Sequence, residues 1–274
     1  MATILDTIAE YTKERVKKEK EVRSLTKIKS EALSMNCNTG FPFEKALSSQ
    51  GISFICECKK ASPSKGLIAE DFPYLKIAEE YEAAGASCIS VLTEPKWFLG
   101  KNEYLKEIAA HVSIPCIRKD FVVDEYMIYE AKLLGASAVL LICSLLPTEL
   151  LTDYIEICNR LGLSALVEAH DEQEITSAIK ASARIIGVNN RNLKNFSVNV
   201  SNSQKLRALV PESILFVAES GIKNRKDIEV LEKAHVDAVL IGEVLMKAQD
   251  KKRMINTLKG LEPESFAGIE SLKL

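Results

Sequence analysis

From Ile52 onward, apolar positions along the chain alternate between two rhythms. Short apolar, β-prone runs break off at polar or charged residues, and between them apolar residues recur at helical spacing. The short runs predict eight strands, at 52–58, 88–93, 115–120, 138–143, 165–169, 185–190, 215–220 and 238–243. The intervening patterns predict helices such as 74–84, 124–134, 148–161, 172–181 and 225–233. Gly85, Gly135 and Gly162 stand where three of these helices stop, at positions that call for a left-handed backbone. Before Ile52 the pattern differs: Ile4, Leu5, Ile8 and Tyr11 lie at helical spacing ahead of a run of mixed charge, Lys13 to Arg23, and a short helix is expected over 42–49.

Strand followed by helix, eight times over, is the pattern of parallel strands joined by helical crossovers, and eight such units close a barrel. An open doubly wound sheet is the alternative, but its glycine-rich turn after the first strand is missing; Glu57-Cys-Lys-Lys60 stands there instead. The expected fold is an α/β protein, a (β/α)8 TIM barrel with an N-terminal helical extension. Residues 1–50 form the extension and 51–274 the barrel, one structural domain overall.

Composition narrows the partners. A chain of 274 residues with 47% hydrophobic content has enough apolar material for one large core, and a formal net charge of -2 gives no bulk attraction for nucleic acid or an anionic membrane. No apolar run is long enough to span a bilayer and no secretory leader is read at the start, so the expected address is cytoplasmic. Most of the 7 cysteines sit inside apolar runs and are expected as reduced, buried thiols. Cys56-x-Cys58 lacks a second ligand pair at zinc spacing, so neither a metal nor a cofactor is expected. The sequence leaves the oligomeric state open, with a monomer among the forms allowed.

In a barrel of this kind the C-terminal ends of all strands surround one mouth. The tips bring together Glu57 and Lys59, Thr93 and Glu94, Lys119 and Asp120, Ser144, Glu168 and His170, Asn189 and Arg191, Glu219 to Gly221, and Gly242 with Glu243. A single polar tip is ordinary loop, but lysines and carboxylates next to apolar runs are costly unless paired, and paired buried charges are where proton-transfer groups are tuned. Glycines at the seventh and eighth tips, Gly221 and Gly242, suit a phosphate held by backbone N–H groups. A small phosphorylated molecule is therefore the expected ligand.

The stretch Phe54-Ile-Cys-Glu-Cys-Lys-Lys-Ala-Ser-Pro-Ser-Lys-Gly-Leu-Ile68 resembles the signature of the indole-3-glycerol phosphate synthase family. The likeness continues through Leu92 to Gly100, Arg118 to Phe121, Leu166 to His170, Gly187 to Leu193, Ala218 to Gly221 and Ile241 to Met246, nearly the whole chain. The resemblance implies ring closure, decarboxylation and dehydration of 1-(2-carboxyphenylamino)-1-deoxyribulose 5-phosphate, in tryptophan biosynthesis. It assigns Lys119 as the acid at the ketone, and Glu168 and Lys59 as the acid and base of dehydration, leaving open which takes which role. Glu57 would hold the lysines, and Asn189 and Glu219 would orient the substrate's carboxylate and hydroxyls.

Phosphate would be met by Gly221, Gly242 and the backbone of Ser220 and Glu243, with Ser62, Lys59 and Arg191 near. Glu243 departs from family members that carry serine, so only its backbone is expected to contribute. Pro63, Phe98, Phe121, Leu140, Leu193 and Ile241 would clasp the aromatic ring. The resemblance also implies that the N-terminal helical extension lies over the C-terminal face of the barrel, where Ile4, Leu5 and Ile8 would help close the mouth, and removing residues before Ile52 should raise KM or destabilise the protein. Trp97 is read as packing, and His111, His170 and His235 as structural or solvent residues. A phosphoribosyl isomerase-like barrel, or a non-catalytic phosphate-binding barrel, is the alternative, and docking by another tryptophan-pathway protein stays open.

Overall fold

The computed structural model describes residues 3–191 and 197–262. Eight parallel strands close on themselves: β1 (Ser53–Cys58), β2 (Cys88–Leu92), β3 (Cys116–Lys119), β4 (Ala138–Ile142), β5 (Ser164–Ala169), β6 (Ile185–Asn189), β7 (Leu215–Glu219) and β8 (Ala238–Ile241). Closure is made by β1, which pairs with β2 on one side and β8 on the other. Each expected strand is present within a residue or two of its ends. Each crossover carries a helix, among them α4 (Tyr74–Ala83), α5 (Asn102–His111), α6 (Glu125–Leu133), α7 (Thr148–Leu161), α8 (Glu172–Lys180), α9 (Ser201–Arg207) and α10 (Arg225–Lys233), and two more follow β8, α11 (Glu243–Lys247) and α12 (Lys251–Leu258).

The pleat's period of two divides every strand between two cores. Phe54, Cys56, Cys58, Cys116, Val139, Val167, Ile186, Val188 and Val239 face the helices, whereas Ile55, Ile117, Leu140, Leu166, Ile185, Val217 and Leu240 fill the barrel. Cys56 and Cys58 therefore sit in an apolar layer, where burial pushes the Cys56 thiol up to about 12. Stop signals behave as their chemistry requires. Gly162 ends α7 at φ 67°, and a Cβ there would strike the Cys37 carbonyl and the Thr39 side chain.

Three helices precede β1, and they occupy different places. α1 (Ile4–Val22) starts at a Thr3–Asp6 capping box, and its first turns join the mouth of the barrel through Ile4, Leu5 and Ile8. α2 (Leu25–Ser34) packs along α6. α3 (Pro42–Leu47) closes the opposite end: Phe43 and Leu47 are fully buried among Ile55, Cys88, Ile117, Ala138 and Ile185, at the starts of the strands. Glu44 of α3 accepts from Arg184, just before β6, at 2.9 Å, and Ser53 Oγ donates to the Ala46 carbonyl at 3.0 Å. The extension thus supplies a cover for the mouth and a floor for the barrel.

Candidate active site

Inward positions at the upper ends of the strands carry the charges. Glu57, Lys119, Glu168 and Glu219 each follow a barrel-filling residue, Ile55, Ile117, Leu166 or Val217, by two positions, so the same pleat that buries the core aims them into the mouth. They line a cavity of about 770 Å³ together with Lys59 and Asn189. Glu57, Glu168 and Glu219 are all nearly inaccessible to solvent.

Lys119 is the hub. Its Nζ donates to Glu219 Oε2 at 2.9 Å and to Glu168 Oε2 at 3.1 Å, bridging β5 and β7 from β3. Burial alone would lower the ammonium's pKa, but Glu219 and Glu168 outweigh it and hold Lys119 well above its ordinary value. The two carboxylates respond oppositely. Burial drives Glu219 up to about 7, with Glu168 adding repulsion, and its Oε1 has no hydrogen-bond partner. Burial also opposes ionisation of Glu168, yet Lys119 and then His170 and Asn189 overcome it and keep the carboxylate well below the usual range.

Glu57 was expected to hold both lysines. It pairs directly with Lys59, and Lys119 is instead held by the glutamates across the barrel. Two glycines make space for this charge cluster: a Cβ on Gly242 would collide with Glu57 Oε1 and lie 2.8 Å from Lys59 Nζ, and one on Gly187 would collide with Glu219 Oε1. Gly187 is a positional requirement of the site that its place in a strand run concealed.

One end of the cavity is suited to an anion. Ser62, Arg191, Ser220, Gly221, Gly242 and Glu243 all line it. Ser220 and Gly221 have φ of 65° and 88°, a pair of left-handed residues that turns the chain after β7. Asn190 secures this turn, donating to the Ser220 carbonyl at 3.1 Å and accepting from Ser203 of α9. The Glu243 side chain accepts from Lys247 at 2.7 Å and lies 3.5 Å from Lys65. Burial would raise its pKa, but these two lysines hold it below the ordinary value, so its charge is neutralised locally. The segment after β1 is more ordered than a loop: Ala61–Ser62 and Gly66–Leu67 form a small antiparallel hairpin that presents Ser62 and Pro63 to the cavity.

Apolar side chains line the same cavity. Pro63, Phe98, Phe121, Leu140 and Ile241 line the cavity, with Phe98 and Phe121 5.9 Å apart between ring centroids. Leu193, expected here too, lies outside the described residues. Glu94, fully buried, accepts from the backbone N–H groups of Lys96, Trp97 and Phe98 and so fixes the loop that carries Phe98. Asn189 Nδ2 donates to Glu168 Oε1 at 3.2 Å, and its Oδ1 accepts from the Arg191 backbone at 3.0 Å.

A family model described as indole-3-glycerol phosphate synthase matches residues 5–258. The chain belongs to the indole-3-glycerol phosphate synthase family. A curated member from Ruminiclostridium cellulolyticum is 56% identical over 257 residues, covering 94% of this chain and 99% of that protein. Another, from Endomicrobium trichonymphae, is 54% identical over 256 residues, 93% of this chain and 99% of its own. Both carry the name indole-3-glycerol phosphate synthase. Among solved structures, the tryptophan synthase complex from Pyrococcus furiosus matches with a TM-score of 0.57 at 16% identity, covering 76% of this chain and 98% of that one. KGPDC from Streptococcus mutans matches with a TM-score of 0.61 at 10% identity, covering 77% and 97%. At that identity these two share the barrel alone.

Against the family's motifs, the residue that sequence reasoning set aside is His170. Its Nε2 lies 3.3 Å from Glu168 Oε1, and its Nδ1 lies 2.9 Å from Glu174 Oε2. The spacing Glu168-x-His170 at a strand end was the available signal, since alternate residues share a face. Among the described residues, no helix is long and apolar enough to cross a membrane.

Proposed function

We propose that this chain performs the reaction for which its family is named, closing the indole ring of indole-3-glycerol phosphate from 1-(2-carboxyphenylamino)-1-deoxyribulose 5-phosphate. The observation that carries this reading is Lys119, held charged between Glu168 and Glu219 in a cavity with an anion-suited end and an apolar wall. The substrate's phosphate goes to the backbone of Ser220, Gly221, Gly242 and Glu243, with Ser62 and Arg191 beside it. Its aromatic ring lies against Pro63, Phe98, Phe121, Leu140 and Ile241, with Leu193 assigned to the same wall by resemblance. Residues 1–50 serve as an extension of the barrel, 51–274, and act with it as one unit.

Lys119 donates its proton to the ketone oxygen as the ring carbon bearing the carboxylate attacks the carbonyl carbon. Carbon dioxide then leaves, its bonding electrons restoring the aromatic ring, a step favoured where water is excluded. Dehydration needs an acid for the departing hydroxyl and a base for the ring N–H. Glu168, held ionised by Lys119 and His170, suits the base. Lys59, the ammonium paired with Glu57, suits the acid. Glu57 orients Lys59, while Asn189 and Glu219 orient the substrate's carboxylate and hydroxyls. An ionised carboxylate leaves as neutral CO2 and a hydroxyl as water, so each turnover takes up one proton from solvent.

The test is appearance of indole fluorescence when purified protein meets the ribulose phosphate. Lys119→Ala should abolish turnover while the far-UV circular dichroism of a barrel persists. Absence of product with the wild-type chain would overturn the reading, and full activity in Lys119→Ala would overturn the assignment of the acid.

A further inference from the structure

Lys119 has two carboxylate partners but must turn toward the ketone to donate its proton, and when it does so Glu168 Oε2 loses its cation. The remaining contacts of Glu168 are both on Oε1: the Asn189 amide at 3.2 Å and the His170 imidazole at 3.3 Å. His170 does not line the cavity; it stands behind Glu168, with Glu174 of α8 on its other ring nitrogen at 2.9 Å. Glu174 is itself fixed, accepting from the His170 backbone N–H at 2.8 Å and from Ser144 Oγ, in the loop after β4, at 2.5 Å. From α9, Asn202 Nδ2 donates to the His170 carbonyl at 3.2 Å, anchoring the backbone of the same residue.

The charges around this pair form an alternating row from the rim inward: Glu174, His170, Glu168, Lys119, Glu219. Of the charged residues that line the cavity, Lys119 is the one whose ammonium holds both Glu168 and Glu219, while Lys59 is paired with Glu57. When Lys119 turns to the substrate, the imidazole of His170, 3.3 Å from Glu168 Oε1, is the cationic group left against that carboxylate, and this gives it an electrostatic task. Burial would lower the pKa of His170, but Glu168 and Glu174 on its two nitrogens raise it to about 10.

We propose that His170, oriented by Glu174, is a positioning residue that keeps Glu168 in place and ionised while Lys119 is engaged with the substrate. The inference rests on the reaction proposed above. It differs from a merely structural tie between β5 and α8, because it requires the imidazole's charge and not only its shape.

The experiment is a set of pH–rate profiles for wild type, His170→Gln and Glu174→Gln. Removing a cation next to Glu168 makes the carboxylate easier to protonate once Lys119 has turned to the substrate, so the acid limb of kcat, which reports the substrate complex, should move to higher pH by roughly one unit in His170→Gln. At neutral pH kcat should fall about tenfold, with KM changed less than about threefold, because the lost interaction acts on the reacting state. Glu174→Gln should move the limb in the same direction by less. An acid limb that stays in place in His170→Gln overturns the inference, whatever the melting temperature does.

If His170→Gln fails to fold, the charge is read in a chain that keeps it. In a His111→Gln, His235→Gln background His170 is the sole histidine of the 3, and its ring nitrogens report protonation by NMR. A persisting imidazolium at pH 8 supports the inference, and a neutral ring at pH 7 overturns it. That spectrum needs no substrate, so absence of turnover in the wild type would count against the proposed reaction and leave the His170 charge to be judged on its own.

Discussion

Arg15 of α1 donates from one guanidinium nitrogen to both carboxylate oxygens of Asp120, each at 3.0 Å, and Asp120 directly follows Lys119. Asp120 is fully buried, takes the Thr93 hydroxyl at 2.7 Å and the Phe121 backbone N–H at 2.8 Å, and lies 3.6 Å from Arg118. Burial would raise its pKa, but Arg15 and Arg118 lower it, so the cover helix is tied by charge to the strand end that carries the proposed acid. Tyr11, further back along α1, packs edge-on against Trp97 at 5.4 Å between centroids.

Arg15→Ala should therefore loosen α1 without dismantling the barrel, because Asp120 keeps its other partners. The expected cost is about 1.5–3 kcal/mol of stability, the range for a hydrogen bond to a charged group. KM should rise several-fold, and the emission of Trp97, the single tryptophan of the chain, should shift to the red as Tyr11 withdraws. Unchanged emission and KM would show that α1 docks independently of this pair.

Glu219 gives stability a pH dependence whose sign follows from its environment. An unfolded glutamate titrates at about 4.3, and folded Glu219 titrates at about 7. The folded chain therefore binds more protons than the unfolded chain between these values, and stability falls as pH rises from about 5 to 8. Glu168 acts oppositely: its pKa is lowered on folding, so its stabilisation is present above the unfolded value and is lost in acid. His170, raised to about 10, adds a loss above its unfolded value near neutrality, so variant and wild type are compared at each pH. Glu219→Gln should narrow the difference in Tm between pH 5 and pH 8; an unaltered difference would place the slope elsewhere.

Gly242→Ala tests close packing at the site. The new methyl would press on Glu57 and Lys59 from below, and a displacement on the order of 1 Å at reacting groups costs about a hundredfold in rate. Steady-state kinetics should show that loss with the melting temperature within a few degrees of wild type. Activity near wild type would mean that the Glu57–Lys59 pair tolerates movement.

Cover and floor should separate under mutation. Phe43→Ala, at the floor, should cost about 3–5 kcal/mol as an aromatic removed from a packed core, with KM unchanged in the folded fraction. Ile8→Ala, at the mouth, should raise KM with a smaller loss in a urea melt. A truncation before Ile52 removes both at once, so destabilisation is its expected first effect. Equal KM effects from the two point variants would refute the division.

The strands were legible because each apolar run ends sharply at a polar or charged residue, and helix ends were legible where glycine supplies a left-handed residue, as at Gly162. The mouth was legible for a related reason: parallel strands all end on the same side, so Glu57, Lys119, Glu168 and Glu219 had to meet. Which of them would pair was not. Arg15 and Asp120 are 105 residues apart, and nothing in either local pattern announces the other. His170 escaped because the reaction gives imidazole no direct task, and α3 escaped as a floor because six residues with a buried Phe43 read as any short helix.

The floor also dictates an order of assembly. Phe43 and Leu47 belong to the same apolar cluster as Ile185, Val217 and Ala238, and Glu44 meets a partner 140 residues further along the chain. On a ribosome α3 emerges before every strand it will seal, and it must wait until the last strands have been made. α1, whose partners Trp97, Asp120 and Asp124 arrive with the second and third units, can settle earlier. The segment ahead of β1 thus includes one of the last pieces to lock, and during that interval the exposed apolar side chains of α3 need shelter from aggregation.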